Sequence, residues 1–241
     1  MSVAIHSIKT QSGRTIKFGS SHVVINTEPA SEPVIEPPDG LSVTIGGRTY
    51  PAVEIFGQVW MAENLDLKFD GLTVGSSSTS VTDPLGNYYN NDEATYGVAG
   101  NKYGMLYNWA AANYIHEHRA ELCPGWHVPS NDEWNTLAVN VGGAWNSAGT
   151  AGTKLKSTTD WKTSSTHSST DEYGFTAYPT GYRTKTGTYV SLTQDTRFWT
   201  STSTNSTQAC EKSFSYNYDM MGYASDRNKL FGQCIRLIKD T

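Results

Sequence analysis

The chain is short of cysteine, of charge and of long apolar runs, and each shortage closes off a class of protein. Three cysteines in 241 residues, Cys123, Cys210 and Cys234, make a disulfide scaffold implausible, and one pair with a free thiol or three free thiols both stay open. Charged residues make up only 17% of the chain and leave a net charge of −5, so there is no basic footprint for nucleic acid. No run reaches the roughly 20 apolar residues of a membrane-spanning helix, and membrane insertion is not expected. The opening residues, MSVAIHSIKTQSGRTIKF, lack a basic stretch followed by an apolar core, so no secretory signal is visible in them. Either a leader has been removed, or the protein reaches the outside as part of a particle. G-x-S-x-G, P-loop and dinucleotide fingerprints are missing as well.

What the chain does have is small polar and aromatic side chains. Ser, Thr, Asn, Gly and Tyr are abundant beside an apolar fraction of 37%, a mixture that points to a loop-rich extracellular surface and away from a compact cytosolic enzyme. Residues 3–26 alternate apolar and polar, with turns at Ser12-Gly13 and Gly19-Ser20, which predicts a β-rich arm over 1–26. A sheet that small is marginal alone, so the arm is expected to attach the protein to a larger assembly or to build a homo-oligomer, with a trimer plausible. Residues 27–40, TEPASEPVIEPPDG, set four prolines among acidic side chains and read as an extended linker. Residues 41–241 form the main, ligand-binding domain.

Within that domain Gly46-Gly47 predicts a hairpin, followed by a strand over 52–55, a turn at Phe56-Gly57 and a strand carrying Val59, Trp60 and Met61. Residues 68–86 read as a polar surface loop. The organising stretch is 103–134. Leu106, Trp109, Ala110 and Ala112 or Asn113 recur at helical spacing and predict a helix ending near His118. A Cys-Pro-Gly-Trp crossing leads to a second helix opened by the capping box of Ser130 and Glu133. Trp134, Leu137, Ala138 and Val141 form its apolar face, and Gly142-Gly143 stops it. After it, AGTKLK predicts a short strand or coil, and PTGYR a strand and turn.

The strings GQVWMAENLD, YNNDEATYG, YGMLYNWAAA, LCPGWHVPSNDEW, GTKLK, DEYGFTAYPTGYR, FWTSTST and IRLIKD, in order over 43–240, resemble the Fibrobacter succinogenes major paralogous domain, common in Bacteroidetes. The resemblance implies an α+β, C-type-lectin-like domain, with two helices packed on short twisted antiparallel sheets. That fold is akin to formylglycine-generating enzymes and to the receptor-binding proteins of phages diversified by retroelements. It also implies surface or secreted proteins without established catalysis, and it places Gly181, Tyr182 and Arg183 in the structural core. Relatives often carry a cysteine in the terminal string, where this chain has Leu237, with Cys234 three residues earlier. The departure puts an inherited disulfide from Cys123 to the carboxy terminus in doubt.

Candidate chemistry is sparse. In His116-Glu117-His118 the two histidines point apart on a helix, unlike the spacing of a zinc motif. Asp83, Asn87, Asn91, Asp92 and Glu93 offer oxygens for calcium, the one cofactor kept in view, but lack EF-hand spacing. A copper oxidase of the formylglycine-generating kind needs closely spaced thiolates, and Cys210 and Cys234 are far apart in sequence. Asn205-Ser206-Thr207 matches a glycosylation sequon, read as a coincidence in a bacterial or phage setting. Trp199 reads either as a ligand-stacking ring or, preferably, as core.

Residues 203–230 differ in kind, being rich in Ser, Asn, Tyr and Asp. Rigid tyrosines mixed with adaptable polar groups are the chemistry of a paratope, and the segment is similar to the late variable region of diversified lectin-fold proteins. The alternative is the polar outer face of two closing strands. On the first reading the ligand-binding residues are Asn205, Tyr216, Asn217, Tyr218, Asp219, Tyr223, Asp226 and Asn228, with no catalytic or metal-binding residue. The expected function is non-catalytic receptor binding or adhesion, directed at a cell-surface protein or carbohydrate, outside the cell or on a phage tail. A bacterial surface or secreted lectin-like protein, a formylglycine-generating-type oxidase and a structural shell subunit are the alternatives.

Overall fold

The computed structural model describes residues 7–9, 15–17, 40–97, 101–142 and 149–241. The chain divides into two compact units, Met1–Glu36 and Pro37–Thr241. In the first, β1 (Ser7–Lys9) pairs antiparallel with β2 (Thr15–Lys17). The expected linker lies outside the described residues as far as position 39.

The second unit begins with β3 (Ser42–Ile45), β4 (Arg48–Ile55) and β5 (Gln58–Met61), a meander with Ile45 opposite Arg48 and Ile55 opposite Gln58. Both hairpins turn through two residues of positive φ, Gly46-Gly47 and Phe56-Gly57, the backbone that a tight two-residue turn requires. Then come β6 (Thr73–Val74), β7 (Leu85–Asn87), the one-turn α1 (Glu93–Tyr96) and β8 (Leu106–Tyr107). Helix α2 (Trp109–Glu117) starts at Asn108, whose side chain accepts from the Ala111 N–H, and stops at His118. After α3 (Arg119–Leu122) and β9 (Trp126–His127), α4 (Asn131–Gly142) opens on the expected box: the Ser130 N–H donates to Glu133 at 2.7 Å and the Glu133 N–H to Ser130 Oγ at 3.2 Å. The chain ends through α5 (Ala151–Leu155), β10 (Thr180–Arg183), β11 (Tyr189–Leu192), β12 (Asp195–Ser203), β13 (Gln208–Ser215), β14 (Gly222–Asn228) and β15 (Ile238–Lys239).

The strands form sheets in the orders β11-β10-β12-β13-β14, β3-β4-β5-β15-β9 and β6-β7-β8. Two apolar clusters fill the spaces between elements. In one, Trp60, Trp134, Phe175, Phe198 and Phe214 meet, with Trp60 and Trp134 ring centres 4.7 Å apart. Each such ring pair adds about 1 kcal/mol beyond the area it buries. In the other, α2 packs Trp109, Ala111, Ala112 and Ile115 against Met61, Tyr107 and Trp199. Trp199 is fully buried and its indole N–H donates to the Tyr107 carbonyl at 2.8 Å, which makes it core and leaves no face for a ligand.

This architecture corrects the expected fold class. The described residues of the second unit hold 13 strands in three curled sheets and only five short helices, so the domain is β-rich, and an α+β C-type-lectin-like fold is not supported. The physical source is the late segment. Its strands carry register shifts between Trp199 and Ser203 and between Ala209 and Glu211; each bulge inverts the alternation that marks a strand in sequence. The AGTKLK string, expected as strand or coil, is helix α5. Gly152 lets it press on the β13–β14 loop, where a Cβ would stand 2.3 Å from the Met220 carbonyl oxygen.

Candidate functional site

Strand pairing divides the eight expected ligand-binding residues into two groups. Gln208 lies opposite Asn228 at one end of the β13–β14 ladder and Ser213 opposite Gly222 at the other, about 17 Å apart along β13. Asn205, Asp226 and Asn228 sit at the first end. Asn205 is committed to its own turn, accepting from the Thr207 and Gln208 N–H groups at 2.9 Å, and Asn228 Oδ1 accepts from the Leu230 N–H at 3.0 Å. Asp226 is exposed, and its carbonyl accepts from Gln208 Nε2.

Tyr216, Asn217, Tyr218, Asp219 and Tyr223 gather at the opposite end. Four of them, all but Asp219, line a groove of about 550 Å³ over β12, β13 and β14. Tyr218 and Tyr223 are 52% and 41% exposed, two of the six exposed large hydrophobic side chains among the described residues. Asp219 anchors the loop instead: it accepts from Thr153 Oγ1 at 2.8 Å and meets His167 at 3.1 Å.

The loop is held from below by Lys156. Its ammonium donates to the Ser215 and Tyr218 carbonyls, both at 2.9 Å, and the side chain is 1% exposed. Burial brings its pKa down to about 8. The Tyr216 N–H adds a bond to the Gln194 carbonyl at 2.8 Å. The exposed tyrosines thus stand on a backbone pinned at several points, which reduces the ordering cost of any contact they make. Beside the loop, Lys156, Trp161, Lys162, His167 and Tyr216 line a second hollow of about 180 Å³.

The groove floor holds charges that sequence reasoning missed. Glu211, with a side chain only 3% exposed, accepts from Arg197 at 3.3 Å and from Arg227 at 2.6 Å, and its other oxygen accepts from Gln233 at 2.5 Å. Arg197 also lies 3.8 Å from the Tyr182 ring centre, and Arg227 5.1 Å from that of Phe231. Asp195 lines the same face, two residues before Arg197. The available signal was polar residues at alternate positions, 195 and 197 on β12 and 211, 213 and 215 on β13, a period of two that marks one face of a strand.

The other candidates resolve into structural roles. Asp92 caps α1, Glu93 pairs with Lys68 at 2.5 Å, Asp83 accepts from Ser80, and Asn91 Oδ1 accepts from Asn87 and Tyr189. Among the described residues no group of three or more His, Cys, Asp or Glu is placed to hold a metal ion. His118 caps its own helix against the Tyr114 carbonyl. The three cysteines are free and buried. Cys123 and Cys234 lie in different apolar clusters, and burial raises their thiols to about 12 and about 11, far from the closely spaced thiolates that copper chemistry uses.

A family model, that of the Fibrobacter succinogenes major domain, matches residues 53–239. The chain belongs to this family. No curated protein and no solved structure matches it. The Fibrobacter succinogenes major domain match spans every residue of the groove and of the second hollow, while the β1–β2 arm lies before it.

Proposed function

We propose that this protein is a non-catalytic binding protein that recognises a cell-surface protein or glycan in the groove over β12, β13 and β14. The observation that carries this reading is Tyr218, exposed on a pinned loop at the rim of a polar groove that Tyr216 and Asn217 also line. Aromatic anchors beside adaptable amides and hydroxyls are how paratopes concentrate binding energy. The setting we assign is extracellular, at the tip of a phage tail or a similar particle or on a bacterial surface. In this setting residues 1–26 join the domain to a larger assembly.

The test is binding of the full chain to arrayed glycans and to host-cell surfaces. Tyr218→Ala is expected to abolish binding and leave the melting temperature within about 2 °C, because an exposed position contributes little to stability. Undiminished binding by that variant refutes the assignment to this groove.

A further inference from the structure

Building on that reading, we infer that the groove is selective for a carboxylated oligosaccharide, with the carboxylate seated against Arg197 and Arg227. Each of these guanidinium groups makes one side-chain hydrogen bond, in both cases to Glu211, and both line the groove. Glu211 has its two oxygens engaged by Arg197, Arg227 and Gln233, so it positions the arginines without exhausting them. Two planar donor forks side by side match the two oxygens of a carboxylate. The rings of Tyr182 and Phe231 hold the forks in place, so little entropy is lost when a ligand arrives.

The remainder of the groove selects against a purely anionic partner. Asp195 lines it with a carboxylate unpaired among the described residues. It lies about 7 Å along β12 from Arg197, on the same face. An unpaired carboxylate repels a second acid and accepts hydroxyl protons. Asn217 and Gln194 add amides, and Tyr218 supplies a ring face against which the C–H face of a sugar packs. A volume of about 550 Å³ falls in the range of small-ligand sites. One acid flanked by hydroxyls is the chemistry of a uronic or sialic acid residue, whereas a run of acidic amino acids would place charge on Asp195.

An array of oligosaccharides ending in uronic or sialic acid, printed beside the same oligosaccharides with the carboxylate reduced to the alcohol and beside acidic peptides, tests this with the full chain. The acid forms are expected to bind at least tenfold more tightly than the reduced forms. That preference is expected to fall toward one in Arg227→Ala and to shrink in Arg197→Lys. Arg227→Lys keeps charge toward Glu211 but loses the planar fork; it is expected to weaken the preference and carries the test if the alanine variant unfolds. Equal binding of acid and reduced forms, abolished by Tyr218→Ala, overturns the inference and leaves the groove reading standing. A preference that survives all three arginine variants, binding to acidic peptides alone, or no binding to any carbohydrate also overturns it.

Discussion

Arg236 and Asn64, 172 positions apart in the chain, meet at 2.6 Å in the middle of the domain. The same guanidinium donates to the carbonyls of Met61, Phe175 and Thr176 and lies over the rings of Phe175 and Phe198. It is fully buried, and burial lowers its pKa to about 10. One side chain from the last motif therefore closes the first, GQVWMAENLD, and the middle one, DEYGF, by filling main-chain acceptors that would otherwise face apolar surroundings.

Arg236→Met is expected to lower the unfolding free energy by about 3–5 kcal/mol, since it strands several buried acceptors at once. Arg236→Lys should lose a large part of that, because an ammonium cannot span the same fork. Urea denaturation measures both, and a loss under about 1 kcal/mol for the methionine variant contradicts the role.

His127 joins the start of α4 to the carboxy-terminal residues, with Glu133 at 2.9 Å and Asp240 at 2.6 Å. The Glu133 hydrogen bond raises the His127 pKa above its ordinary 6.5, against burial. Burial pushes the Glu133 carboxyl up, but hydrogen bonds from His127 and Ser130 outweigh it and hold the pKa at about 2, below its ordinary 4.5. The histidine's contribution is thus complete below pH 6.5 and lost as pH rises through the raised value. The carboxylate's is complete above pH 4.5 and lost toward pH 2. Stability from this pair peaks between those limits and amounts to about 1 kcal/mol for so exposed a site. Denaturation midpoints at pH 5.5 and 8.5 should differ in the wild type and converge in His127→Gln; equal midpoints in the wild type rule the coupling out.

Gly152→Ala is expected to cost about 1–3 kcal/mol and to weaken ligand binding, because the new methyl meets the Met220 and Asp219 carbonyls at 2.3 and 2.7 Å. Those carbonyls belong to the loop carrying Tyr218. A variant with normal stability and normal binding would show that α5 does not set the loop.

The thiols give a direct chemical check. Cys123 and Cys234 are buried, free and raised well above neutral pKa, so iodoacetamide at pH 8 should leave both unmodified in the native protein. All three cysteines should label in urea without reductant. A disulfide-linked peptide in the mass spectrum contradicts the structure.

How much of this was legible in sequence depends on whether the signal was local. The Ser130 and Glu133 box and the Gly46-Gly47 hairpin rest on contacts within a few residues, and both stand in the structure as read. The fold class was taken from a resemblance and failed, because β12, β13 and β14 hide their period behind two bulges. The site was half legible. Tyr216, Tyr218 and Tyr223 share a groove, but composition alone grouped them with Asn205, Asp226 and Asn228, which cross-strand register puts at the far end. Arg197, Glu211 and Arg227 come together only through that register, which no local pattern specifies.

The central claim, that this groove is the recognition surface, is tested most directly by amide hydrogen exchange of the full chain with and without the tightest ligand from the array. Protection is predicted in residues 194–197 and 211–227. Protection confined to the separate hollow beside α2, lined by Asp70, Pro84, Trp109 and Tyr114, with the groove unchanged, would contradict it.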